Sequence, residues 1–424
     1  MIDQTLIRTY IAILERELVP ATGCTEPIAL AYGAAKLRDL LGTLPQRVVA
    51  QVSGNIIKNV KSVVVPNTGG LKGIAPAVAA GIVAGKPERM MRVIEDVTPA
   101  EQQKIVEYLE NTPIKIECLE TPRMLDIHLV GEANGHQAGI RIANSHCNIV
   151  GLVRDDQVLM DTPPEETMEN RVDGHHPLTV AQIVEFADQV DLNCIAPLLQ
   201  RQIDYNSAIA EEGLRENWGA NLGKVILAEF GNDIKTEAQA YAAAGSDARM
   251  SGCDLPVVIL SGSGNQGITA SLPVIRYAKR YGIDQERLYR ALLVSNLCTL
   301  HQKSGIGKLS AYCGAVSAGC GAGAGIAYLL GGGYDEVAHT LVNAVAIISG
   351  TICDGAKPSC AAKIAAAVEA GILGYFMYKH NQEFLSGDGI VTKGVDNTIA
   401  NIGILAQEGM RQTDATILKL MTKD

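Results

Sequence analysis

The sequence predicts an α+β protein, in which a predominantly α-helical domain is interrupted by a smaller α/β domain with a mostly antiparallel sheet. Long Ala-rich stretches with helical apolar spacing fill most of the chain after residue 179. Strand-length runs of β-branched residues are concentrated between residues 46 and 164, whereas residues 1–45 have helical spacing. We therefore assign residues 1–45 and 165–424 to one helical domain and residues 46–164 to the inserted domain.

Helices and strands alternate through the first part of the chain. Residues 3–18 have helical apolar spacing, and Thr25 is predicted to cap a second helix that reaches residue 41. The next elements predicted are strands at 47–52 and 60–65 and helices at 73–84 and 98–110. Four further strands are predicted at 114–119, 124–130, 136–142 and 147–153, and we expect an antiparallel sheet.

Turn residues at 161–164 and 173–177 separate the sheet from the helical part. We expect a packed bundle there, with helices at 179–189, 198–214, 221–230, 238–244, 272–281, 285–300, 334–349 and 360–378. A charge-free stretch, residues 309–334, is long enough to cross a bilayer. Because it consists mainly of Gly, Ala, Ser and Cys rather than Leu, Ile and Phe, we interpret it as a buried helix that permits close helix packing.

Composition and charge limit the classes of function. The chain has 424 residues, a formal net charge of -10 and 47% hydrophobic residues, which is typical of a soluble globular protein. It has no basic stripe, one Trp and four Phe, so we expect no nucleic-acid partner. The N-terminus has no basic segment followed by an apolar one, so we expect no export signal and a cytoplasmic location. We expect no membrane partner, and a homodimer is left open.

The spacing of three cysteines indicates a metal centre. Between Cys353 and Cys360 lie Asp-Gly and Lys-Pro pairs, which allow the segment to curl and bring both sulfurs to one point. Cys313 and Cys320 have the same spacing without a proline, so on one helix only one of them should reach that point. The simplest such centre is an iron-sulfur cluster with three thiolate ligands and one iron left open. Buried inert thiols are the alternative, whereas short C-x2-C zinc pairs are absent and disulfides do not suit a reducing cytosol.

Glycine-rich turns offer candidate anion sites at 53–55, 67–73 and 261–267. The third follows an apolar run and precedes a helical stretch, so its amides and hydroxyls could face a carboxylate at a helix N-terminus. It is not a Walker loop, because no Lys-Ser/Thr pair follows its last glycine. A plain loop is the alternative interpretation.

Cys24 stands just before the predicted second helix. The helix dipole and the free amides at that end favour a thiolate and a lowered thiol pKa, which would give a base or a nucleophile. Glu26 opposes this locally, and a buried inert thiol is the alternative.

These motifs together resemble those of the L-cysteine desulfidases, relatives of the α-chain of bacterial iron-sulfur L-serine dehydratases. The resemblance covers nearly the whole chain and rests on the segments ATGCTEP (21–27), SGSGNQG (261–267), YCG (312–314) and CDGAKPSC (353–360). It implies a 4Fe-4S cluster held by Cys313, Cys353 and Cys360, with Cys24 as the base. Two features differ from the dehydratases: the loop between the last two cysteines is shorter, and the chain ends in Met-Thr-Lys-Asp without a cysteine. The shorter loop favours the desulfidase branch, and we expect no autoinhibition by a tail thiolate.

The resemblance implies a lyase that needs no pyridoxal phosphate, with the helical domain as its catalytic part. Its reaction would be β-elimination from L-cysteine to sulfide, pyruvate and ammonia, with the substrate carboxylate held by the turn Ser261, Gly262, Ser263, Gly264 and Asn265. One alternative is an L-serine or L-threonine dehydratase that uses the same cluster. The other is a redox or sensing protein, in which a fourth thiolate from Cys298 or Cys320 would close the cluster. His301 and Lys357 are weaker site candidates, and we expect His175 and His176 to lie in a solvated loop.

Overall fold

The computed structural model describes residues 3–162, 178–307 and 310–421. These residues are mostly helical, with a six-stranded mixed sheet and a separate two-stranded pair, in agreement with the α+β prediction. The turn at 173–177 with both of its histidines, the boundary at 164 and the chain end after residue 421 lie outside the described residues. The division into two domains stays a prediction.

The first described segment contains helices α1 to α5 and strands β1 to β7. In chain order these are α1 (Gln4–Glu17), β1 (Pro20–Thr22), α2 (Thr25–Leu41), β2 (Arg47–Ser53), α3 (Gly54–Val60), α4 (Ile74–Ala84), α5 (Pro99–Asn111), β3 (Ile114–Leu119), β4 (Asp126–Ala133), β5 (His136–Ala143), β6 (Ile149–Arg154) and β7 (Gln157–Asp161).

After residue 178 the described chain is helical apart from one short strand. Its elements are α6 (Val180–Gln189), α7 (Ala196–Arg215), α8 (Leu222–Phe230), α9 (Ile234–Met250), β8 (Pro256–Val258), α10 (Gly264–Tyr281), α11 (Gln285–Ile306), α12 (Gly314–Leu329), α13 (Tyr334–Ile348), α14 (Cys360–Lys379), α15 (Val395–Ile404) and α16 (Arg411–Met421).

The six-stranded sheet has the order β3-β2-β4-β5-β6-β7. β2 and β3 run parallel, with Val48 opposite Ile114, and the other neighbouring strands run antiparallel. Five of the predicted strands are present with ends within three residues of those predicted, whereas β7 was not predicted. The predicted strand at 60–65 is wrong. Its first residue ends α3, residues 61 and 62 form a turn, and Val64 makes only an isolated antiparallel bridge with Lys72, so no strand forms although Val63 and Val65 are buried.

Helix α2 lies between the sheet and α4. A side chain at Gly33 would meet Leu129 and Ile142 of the sheet at 3.2 and 3.1 Å, and one at Gly81 of α4 would come within 2.7 Å of the Ala31 backbone. These small residues let three layers pack closely, and the same apolar core includes residues of all three. The buried side chains of α2 thus contact the sheet, and the assignment of residues 1–45 to the helical domain stays a prediction.

Helix α12 is the centre of the helical core. A Cβ at Gly323 would lie 2.6 Å from the carbonyl carbon of Gly371 on α14, and one at Gly325 would lie 2.8 Å from Ser295 on α11. The small residues noted in the sequence therefore bring three helices into backbone contact. One helix in the described chain, Cys360–Lys379, is long and apolar enough to cross a membrane, but half of its apolar window is buried, as in a core helix.

Two long-range backbone pairings bring distant segments together. β1 pairs with β8, with Pro20 opposite Val258, which places the start of α2 beside the turn that precedes α10. The loop before α12 pairs with the loop before α14: Cys353 N–H donates to Ala311 C=O at 2.6 Å, and Cys313 N–H donates to Thr351 C=O at 3.1 Å. The resemblance motifs of the sequence all lie on these four segments.

Candidate active site

A cavity lies where the four segments meet. It encloses about 830 Å³ between protein atoms, including its opening to solvent. Residues at the N-terminal ends of α2, α10, α12 and α14 line it. A helix N-terminus carries free N–H groups and partial positive charge, so the convergence of four such ends favours an anionic occupant.

The three predicted ligand cysteines come together in this cavity. Cys313 is the N-cap of α12, Cys353 lies in the loop before α14, and Cys360 is the first residue of α14. Gly355 allows the curl between the last two, because its φ of 97° is left-handed and a Cβ there would collide with the Lys58 carbonyl. Cys360 Sγ lies 3.7 Å from the Gly355 carbonyl oxygen, to which it donates.

The thiols of Cys313 and Cys353 interact directly. The Cys313 thiol donates to Cys353, which lowers the pKa of Cys353 and raises that of Cys313. The charges of Lys58 and Lys363 and the Gly355 amide also lower the pKa of Cys353, against the effect of burial. Burial raises the pKa of Cys360. The site therefore stabilises thiolate most strongly at Cys353.

The remaining thiols are positioned differently. All ten cysteines are described and all are free, and four of them, the three above and Cys24, line the cavity. Cys298 and Cys320 are completely buried in the helical core and do not line it, in keeping with the expectation that only one of Cys313 and Cys320 reaches the site. Among the described residues no group of three His, Cys, Asp or Glu side chains is spaced for a single metal ion.

Two buried lysines line the cavity, and sequence reasoning did not select them. Lys58 donates to Asp414 of α16 at 2.5 Å. Lys303 on α11 is 4% exposed, and within the described chain it has no carboxylate partner. Burial lowers its pKa to about 8, while the nearby Cys353 and Cys313 raise it. A lysine in the last turn of a helix usually indicates a solvated C-terminus, so the sequence carried no signal for this one.

Cys24, and not Thr25 as predicted, is the N-cap of α2. Its thiol donates to Glu26 Oε2 at 3.2 Å. Burial and then the Glu26 charge raise its pKa, and Arg249 only partly opposes them. The expected lowering of the Cys24 pKa is therefore wrong, because desolvation and an adjacent carboxylate outweigh the helix dipole. Glu26 also accepts from Thr25 Oγ1 at 3.0 Å and from Asn59 Nδ2 at 3.3 Å.

The turn at 261–265 also lines the cavity, through Ser261, Gly262, Ser263 and Asn265. Ser261 and Gly262 have positive φ values of 49° and 73°, and Ser263 is the N-cap of α10 without a side-chain capping bond. Gly264 begins α10, and a Cβ there would lie 2.7 Å from the Cζ atom of Arg249. The glycine is thus needed because a buried arginine, which the sequence did not indicate, crosses the turn.

Gln266 and Gly314 form a second close contact at the cavity wall. A Cβ at Gly314 would lie 2.6 Å from the Gln266 amide, and the buried Gln266 Oε1 atom has no hydrogen-bond partner. Of the weaker candidates, His301 pairs with Asp396 at 2.7 Å and Lys357 pairs with Asp354, and neither lines the cavity. These contacts define the class of protein: an α+β protein with a thiol-lined cavity at the N-terminal ends of four helices.

Comparison with known proteins identifies the family. A model of the serine dehydratase alpha chain matches residues 88–419. A UPF0597 protein of Desulfitobacterium hafniense is 57% identical over 98% of this chain and 96% of its own length. UPF0597 proteins of Treponema denticola and Aeromonas hydrophila are 43% and 38% identical, over 100% and 97% of this chain and 100% and 95% of their own lengths. The chain belongs to the serine dehydratase alpha chain family, which indicates a lyase.

Proposed function

We propose that the protein is a cytoplasmic L-cysteine desulfidase, which converts L-cysteine to sulfide, pyruvate and ammonia with a 4Fe-4S cluster. The observation that carries the proposal is the meeting of Cys313, Cys353 and Cys360 with Cys24 in one cavity, although they come from separate segments. Membership of a serine dehydratase family supports elimination from a β-substituted amino acid.

The residues around the three thiols fit a cluster. Cysteine thiolates are the usual ligands of iron-sulfur clusters, and a cluster needs its sulfurs less tightly grouped than a single ion does. Lys58, Lys303 and Lys363 all act electrostatically on these thiols and would offset their negative charge. Cys313, Cys353 and Cys360 would hold the cluster. When bound, it would supply an open iron as a Lewis acid toward the sulfur at the substrate β-carbon.

Cys24, the candidate base for the α-proton, is protonated at rest, so it can act only if its own proton leaves. Because its pKa is raised, Cys24 holds a proton that can pass to Glu26 Oε2, 3.2 Å away. We infer a relay in which the Cys24 sulfur takes the α-proton as its own proton moves to Glu26. Thr25 and Asn59 hold the Glu26 carboxylate in place for this transfer. The aminoacrylate that remains after sulfide loss hydrolyses to pyruvate and ammonia.

The turn at 261–265 would hold the substrate carboxylate, because its hydroxyls and the α10 N-terminus face the cavity beside Cys24. A soft thiolate leaving group suits iron better than an alcohol does, which favours cysteine over serine. Because the matching family is that of the serine dehydratase alpha chain, L-serine dehydration is the second candidate function. A redox or sensing role is less well supported, because Cys298 and Cys320 do not line the cavity.

The test is anaerobic reconstitution with iron and sulfide, followed by assay of sulfide and pyruvate released from L-cysteine. We expect both products from the wild type and neither from Cys353→Ala. Cys320→Ala is the matched control, since it removes a buried thiol from the same helix bundle without touching the cavity, and it should retain activity. Higher kcat/KM for L-serine than for L-cysteine would favour the dehydratase, and a stable cluster without turnover of either would favour the redox role.

A further inference from the structure

Arg249, at the C-terminal end of α9, carries a positive charge that has no role in the reaction proposed above. It is 3% exposed and lines the cavity. Its Nη1 atom donates to Asn265 Oδ1 at 3.0 Å and to Met250 Sδ at 3.4 Å, and its buried Nε atom has no partner. No carboxylate in the described chain pairs with it. A buried guanidinium without an anion is costly, and the cost is recovered when an anionic ligand binds.

The cations in and near the cavity fall into two groups. Lys58, Lys303 and Lys363 act electrostatically on Cys353 or Cys313, whereas Arg249 acts on Cys24 and has no resolved effect on the three ligand thiols. The positive charges of the lysines therefore act on the side of the cavity where the cluster would lie. The charge of Arg249 acts on the other side, where Cys24 and the glycine-rich turn lie next to each other.

The position of the guanidinium is fixed by its neighbours. It lies directly over Gly264, and Asn265 accepts its hydrogen bond, so it is held at the start of α10. Asn265 Oδ1 also accepts from Ser246 at 3.3 Å, which orients this amide toward Arg249. A planar guanidinium and the N–H groups of a helix start together match the two oxygens of a carboxylate.

We propose that Arg249 binds the α-carboxylate of the amino-acid substrate and thereby selects substrates that carry a free α-carboxylate. This inference rests on the proposed function for the identity of the substrate. The carboxylate would be anchored beside Cys24, so that the adjacent α-carbon faces the thiol. Amides and decarboxylated analogues would leave Arg249 buried and unpaired, and the site should reject them.

The test uses L-alanine and L-alaninamide, which differ only in the carboxylate and have no leaving group. Their affinities are measured by calorimetry on the full chain, before and after anaerobic reconstitution. We expect the wild type to prefer L-alanine by about 30-fold, the worth of one charged hydrogen bond, and Arg249→Gln to bind both weakly and about equally. Arg249→Lys keeps the charge without the planar fork and should retain part of the preference. Arg276→Gln, which removes a largely buried arginine paired with Glu237 outside the cavity, should keep the full preference.

The outcomes separate this inference from the proposed function. An undiminished preference for L-alanine in folded Arg249→Gln would overturn the role of Arg249, even if the wild type releases sulfide from L-cysteine. Absence of any preference in the wild type would overturn it as well. Loss of the preference in Arg249→Gln together with no sulfide release by the wild type would support Arg249 as a carboxylate receptor and refute the desulfidase. If Arg249→Gln fails to fold, the ratio of the L-alanine and L-alaninamide affinities is measured in Arg249→Lys instead. A ratio equal to that of the wild type would refute the inference.

Discussion

Replacement of Glu26 by Gln separates two ways in which Cys24 could act as a base. If Cys24 acts alone as a thiolate, loss of the adjacent negative charge lowers its pKa, since that charge is one of the causes that raise it. Activity at neutral pH should then rise. If the proton of Cys24 must pass to Glu26, the amide removes the acceptor and activity should fall. The two mechanisms therefore predict changes of opposite sign.

The structure favours the fall. Cys24 is buried, its thiol already donates to Glu26 Oε2 at 3.2 Å, and burial, which Gln does not relieve, is the largest cause of its raised pKa. Loss of a general acid or base typically costs 10²–10⁴-fold, so we expect kcat for Glu26→Gln to fall by about that factor, or about 3–5 kcal/mol of activation free energy. KM for L-cysteine should change little, because Glu26 holds the proton and not the carboxylate.

The assay is the pH dependence of kcat for sulfide release by the reconstituted enzyme, for the wild type, Glu26→Gln and Glu26→Asp. The shorter Asp keeps a carboxylate but draws it away from Sγ, so its activity should fall between the other two. The melting temperature and iron content of each variant control for folding and for the cluster. Equal or higher kcat in Glu26→Gln at neutral pH, with normal iron content, would refute the relay.

Three further predictions follow from the same contacts. Gly323→Ala should lower stability by about 1–3 kcal/mol, because its Cβ would lie 2.6 Å from the Gly371 carbonyl carbon, and an unchanged urea midpoint would contradict the close packing of α12 on α14. Lys303→Met should raise the melting temperature of the cluster-free protein, since it removes a buried unpaired cation, and should reduce iron retention after reconstitution; a lower melting temperature would contradict this. Burial raises the pKa values of Cys298 and Cys320 in the folded state above about 9, the pKa of an unfolded thiol. The folded protein therefore keeps its full stability with respect to these thiols below about pH 9 and loses stability as the pH rises further, because the unfolded chain releases their protons first. Cys298→Ala should make the alkaline loss of stability shallower, as measured by urea unfolding between pH 7 and 10.

The parts that sequence could predict are those set by local chemistry. The Asp-Gly and Lys-Pro pairs correctly indicated that Cys353 and Cys360 can face one cavity, and small residues correctly indicated close packing of α12. The strand predicted at 60–65 is wrong because α3 extends to Val60 and a turn follows it, so that Val64 pairs with Lys72 at a single bridge and not along a strand. The pKa of Cys24 was predicted with the wrong sign, since a local dipole is visible in the sequence whereas burial is not.

The charged residues of the site could not be predicted for a different reason. Arg249 and Lys303 come from the ends of α9 and α11, and they reach the cavity only through contacts between segments far apart in the chain. In sequence each is a lysine or arginine in the last turn of a helix, where cations are common because they offset the helix dipole. Their burial without a carboxylate partner is what distinguishes them, and burial is a property of the tertiary structure alone.

The distribution of charge also bears on the choice between elimination and electron transfer. A redox protein needs its cluster thiols balanced by cations, and the three lysines near Cys313 and Cys353 would be sufficient for that. It has no need of a buried carboxylate bonded to a fourth thiol, or of an unpaired arginine beside that thiol, and both are costly to bury. An enzyme that removes a proton next to a carboxylate needs both. The pairing of Glu26 with Cys24, and the unpaired Arg249 next to them, therefore favour proton-transfer chemistry at this site.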